Sequence, residues 1–332
     1  MPVLSTLLHA TTFRTPFLST LLPSIGLAYT LQGLVALPSI AAQSERFYDL
    51  SGSLTYLSCA ALSLYLPAIR ARAAAAAAGH AKPAWPNIVA ALMGKGGVGA
   101  AAGGLNWRQV VLSAAVGIWA TRLGSYLFRR ISQDGHDSRF DSIRTSPFKF
   151  GGAFFAQATW VTLCLMPVLA INSVPAALLS TLPASIALTD ILGLLLYVGG
   201  LSFEVVADRQ KDRWVQEKKS KKHNEEFLTR GLWRKSRHPN YFGEATLWTG
   251  IAVMAGGVLV RNVGQVGMGL SGGLGGRILG LGMAAVSPAF VTFLLLKVSG
   301  VPMSEGKYDK RYGDRKDYQE WKRETPMFVP KL

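Results

Sequence analysis

Long stretches of the chain contain no acidic residue, and these stretches constrain the fold more than any other feature. No Asp or Glu lies between Leu50 and Gln133, and none lies between Ala245 and Ser304. Over the whole chain 49% of the residues are hydrophobic and only 16% are charged, whereas soluble domains carry about 25% charged residues. Much of the surface therefore does not face water, and the sequence predicts an integral membrane protein.

Apolar windows of about 20 residues, the length of a helix that crosses a bilayer, occur seven times. Pro23 and Pro38 interrupt the first, and no window shows the alternation of a transmembrane β-strand. We therefore predict an all-α, multi-pass transmembrane helical bundle of about seven spans. The predicted spans cover residues 20–42, 50–70, 108–128, 149–171, 185–207, 241–260 and 277–298.

The loops between these spans differ in positive charge, which sets the orientation of a membrane protein. One side carries 26 of the 35 Lys and Arg residues and the other carries 8, with Arg122 inside a span. The basic side includes the loop 208–240 and the C-terminal tail, so we expect both to be cytoplasmic and the N-terminus to be lumenal. Residues 1–42 also have the composition of a mitochondrial presequence, so a mitochondrial membrane is the alternative location, although we favour a first span here. Cleavage of that segment would leave the later orientation unchanged.

Composition divides the chain into three regions. We predict N-terminal membrane spans at 1–70 and an Ala- and Gly-rich low-complexity linker at 71–106. The rest, 107–332, is predicted to be a membrane domain with a Gly-rich insert at 262–276 and a basic cytosolic tail at 300–332.

Both Gly-rich stretches match the spacing G-x-G-x-x-G, at Gly94–Gly99 and Gly267–Gly272. Neither follows a predicted strand, and Ala100 and Ala101 stand where a P-loop needs Lys and Ser or Thr. We therefore expect neither stretch to bind a nucleotide. The net charge of +16 does not indicate nucleic acid in a chain this apolar, and the two cysteines provide neither a disulfide framework nor a metal site.

Polar residues inside apolar helices are the best candidates for function, because each charge at the bilayer centre costs about 2.5–3.5 kcal/mol. Glu204, Asp208 and Lys211 follow at i, i+4 and i+7 at the predicted cytoplasmic end of the fifth span, so they share a helix face. Charges at a helix end can simply meet lipid headgroups. Glu204 lies about a turn deeper and favours a functional interpretation, since its carboxylate can accept hydrogen bonds from a cofactor's ribose or amide groups.

The octet Arg237–Glu244, with the sequence RHPNYFGE, is the strongest pattern in the chain. Its proline suits the first turn of a helix, which would place Asn240 and Glu244 on one face. Arg237 and His238 would then lie at the positive end of the helix dipole, where an anion such as a phosphate is favoured. A capped helix with a buried Asn–Glu hydrogen bond is the structural alternative.

A third cluster lies in the third predicted span. Apart from cations at the ends of the spans, Arg122 is the only cation inside a span, and Tyr126 shares its helix face. The guanidinium group suits bidentate contact with a phosphate. Arg129 and Arg130 follow, and positive-inside flanking explains these two without a function.

Together these patterns resemble the steroid 5α-reductase-like superfamily, most closely its bacterial and fungal branch of unassigned function. The resemblance covers roughly residues 107–330 apart from the Gly-rich insert, and its motifs occur in the expected order. The Glu204–Trp214 stretch and the Arg122–Arg130 helix also look like that branch. The motifs are Gly231–Ser236, the octet Arg237–Glu244, Pro302 with Glu305, and Tyr318, Trp321 and Phe328–Pro330.

This resemblance implies an enzyme of the endoplasmic reticulum that holds NADPH from the cytosolic side. Such an enzyme transfers a hydride to the β-carbon of an enone while polar groups hold the carbonyl oxygen. The implied partners are membrane lipids and a lipid-soluble substrate, a steroid or another isoprenoid or lipid, and no metal site is implied. The residues that the resemblance assigns to the cofactor are Arg122, Glu204, Asp208, Arg237, His238, Asn240 and Glu244, with Tyr126 and Tyr241 as candidate catalytic residues.

One departure from the family pattern affects the substrate. Steroid reductases are expected to bind the substrate ketone through a Glu in an early span, and this chain has no acid between positions 50 and 133. Steroid substrates are therefore in question, while Tyr126 or Tyr56 remains available to polarise a carbonyl.

Two other functions remain open from the sequence. The isoprenylcysteine carboxyl methyltransferase-like group shares Arg-His-Pro-x-Tyr and a similar tail, which allows an S-adenosylmethionine-dependent methyltransferase. The pair Asn240 and Glu244 favours the reductases over that group. The second alternative is a non-catalytic membrane protein whose basic tail, Lys307–Lys331, binds anionic lipid.

Overall fold

The computed structural model describes residues 2–96, 104–182 and 186–331 of the chain. These residues form helices and loops, with no strand among them. A 3₁₀ turn at Gly231–Arg234 and a π-helical segment at Leu294–Val298 accompany the α-helices. The α-helices are α1 (Pro2–Ala10), α2 (Pro16–Ala41), α3 (Tyr48–Ala77), α4 (Ile88–Leu92), α5 (Trp107–Asp134), α6 (Pro147–Ser173), α7 (Ala176–Leu179), α8 (Leu188–Lys219), α9 (Pro239–Leu259), α10 (Asn262–Met268), α11 (Gly273–Phe293), α12 (Val301–Tyr312) and α13 (Lys316–Glu324).

Seven helical segments of the described residues are long and apolar enough to cross a membrane. They are α2, α3, α5, α6, α8, α9 and the run Gly273–Tyr312, which contains α11, the π-helical segment and α12. Each overlaps one predicted span, so the prediction of an all-helical, multi-pass protein is confirmed. The first span is continuous, because α2 runs through both Pro23 and Pro38.

Local sequence explains where several helices begin and end. Thr15 caps α2 by accepting a backbone amide of the first turn, and Pro16 follows at the position where a missing N–H costs nothing. Asn106 and Gln109 form a capping box at the start of α5. Gly135 ends α5 in the left-handed conformation that glycine adopts without strain.

Large apolar side chains point outward along several of these helices. Leu37 of α2 is 70% exposed, Leu195 of α8 is 64% exposed and Leu274 of α11 is 74% exposed. Soluble proteins rarely expose extended apolar surfaces. The outward leucines therefore support contact between these helices and the hydrocarbon of a membrane.

The chain divides into two compact units. Unit 1 contains Met1–Asp190 and Val253–Ser287, and unit 2 contains Ile191–Ala252 and Pro288–Leu332. In unit 1, α2 packs on α3 and α6, and α3 also packs on α5. Unit 2 contains most of α8, the first part of α9, α12, α13 and most of the predicted site residues.

Buried amide and hydroxyl groups link the helices of unit 1. Gln32 of α2 donates to the Thr55 hydroxyl of α3 at 2.8 Å. Asn172 of α6 donates to the hydroxyls of Ser63 and Ser113 at 2.9 Å and 3.1 Å. Hydrogen bonds of this kind stabilise contacts between helices that have little hydrophobic drive to associate in lipid.

Two ion pairs fix the ends of the unit 1 helices. Arg108, in the first turn of α5, pairs with Asp190 at 2.7 Å, and both side chains are almost completely buried. Arg139, in the loop after α5, pairs with Asp49 at the start of α3, also at 2.7 Å. These ion pairs give the charged residues near the helix ends a structural role, so no catalytic role is needed to explain them.

The predicted linker 71–106 contains helical segments. The third helix continues to Ala77, and α4 buries Ala91 in a cluster that includes Leu105. Residues 97–103 lie outside the described residues, and with them the second half of the first Gly-rich match and the two alanines that follow it.

The predicted insert contains α10, and packing explains one of its glycines. A Cβ on Gly267 would overlap the side chain of Val174. Close packing against Val174 therefore explains why this position of the G-x-G-x-x-G pattern is a glycine.

Candidate functional site

Helices α8 and α9 meet backbone to backbone in unit 2, through glycines on both helices. A Cβ on Gly200 of α8 would lie 2.5 Å from the Leu247 backbone nitrogen, and a Cβ on Gly243 of α9 would lie 2.6 Å from the Glu204 backbone nitrogen. Any larger residue would force the helices apart, and small residues at such contacts are typical of membrane helices. Glu204 is thereby held directly beside the second half of the RHPNYFGE octet.

The face of α8 that packs on α9 carries the predicted acids. Tyr197, Gly200, Glu204 and Asp208 recur every three or four residues, which places them on one side of the helix, and all four are buried. Glu204 is 3% exposed, and Glu244 of α9 is 8% exposed. The structure thus brings the three predicted acids to one helix pair, where apolar surroundings make a carboxylate costly unless it has a polar partner.

The segment before α9 folds back on α8. Gly231 adopts a φ of +59°, and the chain passes over Gln210, whose side-chain oxygen accepts the Leu232 amide at 2.8 Å. Trp233 donates its indole N–H to the Ala207 carbonyl at 3.0 Å. These contacts fasten the residues that lead into α9 to the stretch of α8 that carries the buried acids.

Arg237 and His238 share one carboxylate. The Arg237 Nη1 atom lies 3.0 Å from Glu305 Oε1 and donates to Oε2 at 3.2 Å, while His238 Nε2 lies 3.1 Å from Glu305 Oε1. Lys322 approaches the other side of the same carboxylate at 3.3 Å. The two residues predicted to bind an anion are therefore already engaged by an acid of α12.

The C-terminal tail runs along the same segment. The Arg237 amide donates to the Pro326 carbonyl at 2.9 Å, and the Lys331 amide donates to the Lys235 carbonyl at 2.9 Å. Between them the buried Ser236 donates its hydroxyl to the Phe328 carbonyl at 2.8 Å and accepts the amide of the histidine that follows at 3.2 Å. The tail thus holds the entry to α9 by both backbone and side-chain hydrogen bonds.

Two buried polar atoms at this entry have no hydrogen-bond partner within the part of the chain that the structure describes. They are Arg237 Nε, a donor, and Asn240 Oδ1, an acceptor. Buried polar atoms without a partner are costly and uncommon in native proteins. A polar ligand that both accepts and donates hydrogen bonds would satisfy both atoms.

His238 and Tyr241 form a stacked pair in the first turn of α9. Their ring centres lie 5.3 Å apart with planes 3° from parallel. Burial lowers the pKa of His238 below its usual value, and the positive charges of Lys211 and Arg237 lower it further, although the hydrogen bond to Glu305 raises it. The imidazole is therefore neutral near pH 7 and donates from Nε2 to the carboxylate.

Arg122 and Tyr126 belong to unit 1 and lie about one turn apart on α5. The Arg122 guanidinium carbon is 5.6 Å from the centre of the Tyr126 ring. An open hollow of about 510 Å³ lies along this side of α5, and every residue that lines it belongs to α5. Its lining residues are Ala114, Gly117, Ile118, Thr121, Arg122 and Ser125. Tyr56, the other tyrosine considered for a carbonyl, is buried with its ring edge-on to Trp119 at 5.0 Å.

Some residues of this site were not predicted as site residues. Glu305 entered the sequence analysis only as part of a family motif. It is the first acid after the acid-free stretch between Ala245 and Ser304, and this position could have marked it as a candidate site residue. The glycine contacts were harder to foresee, because a glycine in an apolar helix does not reveal which helix it faces.

Comparison with known families identifies the group to which the chain belongs. The sequence model of a family described as "Protein of unknown function (DUF1295)" matches residues 71–266 and 277–325. The chain belongs to this family. DUF1295 is part of the steroid 5α-reductase-like superfamily, so the resemblance seen in the motifs is confirmed at the superfamily level. Searches of curated proteins and of solved structures found no match.

The DUF1295 match includes every predicted site residue. It spans α5 with Arg122 and Tyr126, the α8–α9 pair, and the tail as far as Thr325. The unmatched residues 267–276 lie within the Gly-rich insert. Since the family has no assigned function, its membership alone gives no reaction.

Proposed function

We propose that this protein is a membrane-embedded, NADPH-dependent reductase of an activated C=C bond in a lipid-soluble substrate. The observation that carries the proposal is the pair of buried atoms at the start of α9, the donor Arg237 Nε and the acceptor Asn240 Oδ1, which have no partner in the described residues. Membership of the steroid 5α-reductase-like superfamily supports it independently.

NADPH carries the groups that this entry would accept. Its phosphate oxygens can accept from Arg237, at the end of α9 where the helix dipole favours negative charge. Its amide and ribose hydroxyl groups can donate to Asn240 and to the buried carboxylates of Glu204 and Glu244. The proposal extends the cofactor contacts to Asp208, which lies on the same helix face.

NADPH, when bound, would supply a hydride to the β-carbon of an enone, with a proton completing the reduction at the α-carbon. The chain's own part is to hold the substrate carbonyl and to exclude water. Tyr241 is the candidate donor to that oxygen in unit 2, with Tyr126 of unit 1 as the alternative, since a phenol can stabilise negative charge as it develops there.

The proposal includes an orientation and a location. Basic loops favour the cytosolic side of a membrane, and NADPH and its phosphates would arrive from there. We therefore propose a cytosolic segment 208–240 and tail, a lumenal N-terminus, and residence in the endoplasmic reticulum.

Cofactor binding tests the proposal. The protein is purified in mild detergent and titrated with NADPH and, separately, with S-adenosylmethionine, while tryptophan fluorescence is followed. Trp233 and Trp248 are both buried beside the proposed site, so binding should quench their emission. We expect saturable quenching by NADPH that is lost in Glu244→Ala and strongly weakened in the isosteric Glu244→Gln.

The control variant is Glu320→Ala, an acid on α13 whose side chain is 64% exposed, which should bind NADPH as the wild type does. A response to S-adenosylmethionine alone would overturn the reductase proposal in favour of a methyltransferase. A response to neither ligand would overturn both enzyme assignments.

A further inference from the structure

Glu305 is the one acid that contacts both Arg237 and His238 at the entry to α9, among the contacts of the described residues. It accepts from Arg237 at 3.2 Å and lies 3.1 Å from His238 Nε2, and its side chain is only 17% exposed. A partly buried carboxylate with two such partners makes charge-assisted hydrogen bonds, which are stronger and geometrically more restrictive than neutral ones.

The position of Glu305 is itself fixed from a second side. Lys322 of α13 lies 3.3 Å from Glu305 Oε2 and also binds Asp309 of α12 at 2.6 Å. Since α12 and α13 are joined by this lysine, the Glu305 carboxylate is part of a small network rather than a mobile surface group.

One donor of Arg237 lacks a hydrogen-bond partner in the described residues. Glu305 contacts the guanidinium group through Nη1, whereas Nε is buried and has no acceptor in the described residues. If Glu305 itself occupied the anion site, we would expect it to bind every donor of the Arg237 guanidinium group. Glu305 instead binds the guanidinium group through Nη1 and thereby orients Nε.

We propose that Glu305 is a positioning residue, which fixes Arg237 and His238 so that the unpartnered Nε of Arg237 meets the phosphate of a bound cofactor. The inference rests on the proposed function in taking NADPH as the source of that phosphate. Glu305 touches neither cofactor nor substrate in this scheme and acts only through its two partners.

Loss of the Glu305 charge should therefore disturb the entry in a specific direction. Without the carboxylate, Arg237 loses the anion at Nη1, Lys322 keeps only its pair with Asp309, and His238 loses the acceptor of its Nε2 proton. Since hydrogen bonds to charged groups contribute about 1.5–3 kcal/mol, Glu305→Gln should raise the Kd for NADPH about tenfold or more.

The test compares Glu305→Gln with Glu305→Asp and with Glu320→Gln, a control on the neighbouring α13 helix. The first readout needs no ligand: carbon-13 resonances of labelled histidines are titrated with pH, and His238 is assigned by its absence in His238→Gln. The second readout is the Kd for NADPH. We expect the His238 titration to move to lower pH in Glu305→Gln, with partial recovery in Glu305→Asp and no change in Glu320→Gln.

The outcomes separate this inference from the proposed function. An NADPH affinity that is unchanged or tighter in Glu305→Gln would overturn the inference and leave the cofactor assignment intact, since it would mean that Glu305 competes with the phosphate. If the wild type binds no NADPH, the proposed function fails. In that case an unshifted His238 titration overturns the claim that Glu305 positions the pair, and a shifted one supports it.

Discussion

At the scale of single residues, the site is defined by polar groups placed where apolar surroundings make them costly. Glu204, Glu244 and His238 are all at least nine-tenths buried. Gly243 packs against the backbone of Glu204, and Glu305 binds His238. Such side chains persist only where packing or a ligand compensates for their burial, which is why they are our candidates for binding.

The neutral state of His238 leads to a prediction about pH. Burial lowers its pKa in the folded protein, whereas an unfolded chain has a histidine pKa of about 6.5. Below that value the unfolded state binds the extra proton, so His238 stabilises the fold fully above pH 6.5 and this contribution is lost as the pH falls towards the folded pKa.

We expect the thermal midpoint of the wild type to fall more steeply between pH 7 and pH 5 than that of His238→Gln. The matched control is His80→Gln, because His80 is exposed, and its slope should equal the wild type's. Equal slopes for all three proteins would show that His238 titrates as it does in the unfolded chain. The charged groups near His238 that bear on this result are Glu305, Arg237 and Lys211.

At the scale of elements, the site depends on how closely α8 and α9 approach. The two helices touch at Gly200 and Gly243, with Gly250 further along meeting the backbone of Tyr197. A repeating small-residue face on both helices brings the acids of α8 to the start of α9. The C-terminal tail then holds the segment before α9 in place by hydrogen bonds to residues 235–237.

Adjacent glycines of α8 allow a matched test of this contact. A Cβ on Gly200 would lie 2.5 Å from the Leu247 nitrogen, whereas a Cβ on Gly199 would have nothing within 4 Å. Gly200→Ala should therefore destabilise the protein by about 1–3 kcal/mol, the usual cost of overpacking. Gly199→Ala should be neutral or slightly stabilising, because alanine favours a helix over glycine.

Thermal unfolding in detergent measures both variants, and NADPH affinity should fall only in Gly200→Ala. A Gly200→Ala protein with wild-type stability and affinity would mean that the helices separate there at no cost to the site.

At the scale of the whole molecule, the distribution of charge and of apolar helices determines how the chain meets a membrane. Seven segments of the described residues are long and apolar enough to span a bilayer, and seven crossings would place the two ends of the chain on opposite sides. The excess of Lys and Arg, 35 against 19 Asp and Glu, is concentrated in the loops expected to face the cytosol.

Orientation can be tested with glycosylation tags. A tag placed before Leu21 should be glycosylated in microsomes, and a tag within 208–240 should not be. A further tag near the basic C-terminus should behave as the one in 208–240. Modification of both of the first two tags, or of neither, would contradict the predicted seven-span topology.

The sequence predicted the spans well because bilayer thickness requires a long apolar window, which is visible without any structure. It underestimated their length: α8 continues to Lys219, since the polar residues after Asp208 are good helix formers and the apolar window does not count them. The site was harder to predict from the sequence. Periodicity placed Glu204 and Asp208 on one face, but the partner of that face, and the role of Glu305 some hundred residues away in sequence, depend on tertiary contacts that a local pattern does not contain.

The central claim, that the chain transfers a hydride from NADPH to a lipid, is tested most directly with deuterated cofactor. Membranes that contain the wild-type protein are incubated with NADPH carrying deuterium at both C4 positions, and the lipid extract is examined by mass spectrometry. The account predicts deuterium in a lipid that has lost one C=C bond, and no such product with Asn240→Ala, while the exposed control Asn224→Ala retains it. A lipid fraction free of deuterium, from protein that binds NADPH in the titration, would contradict the reductase assignment.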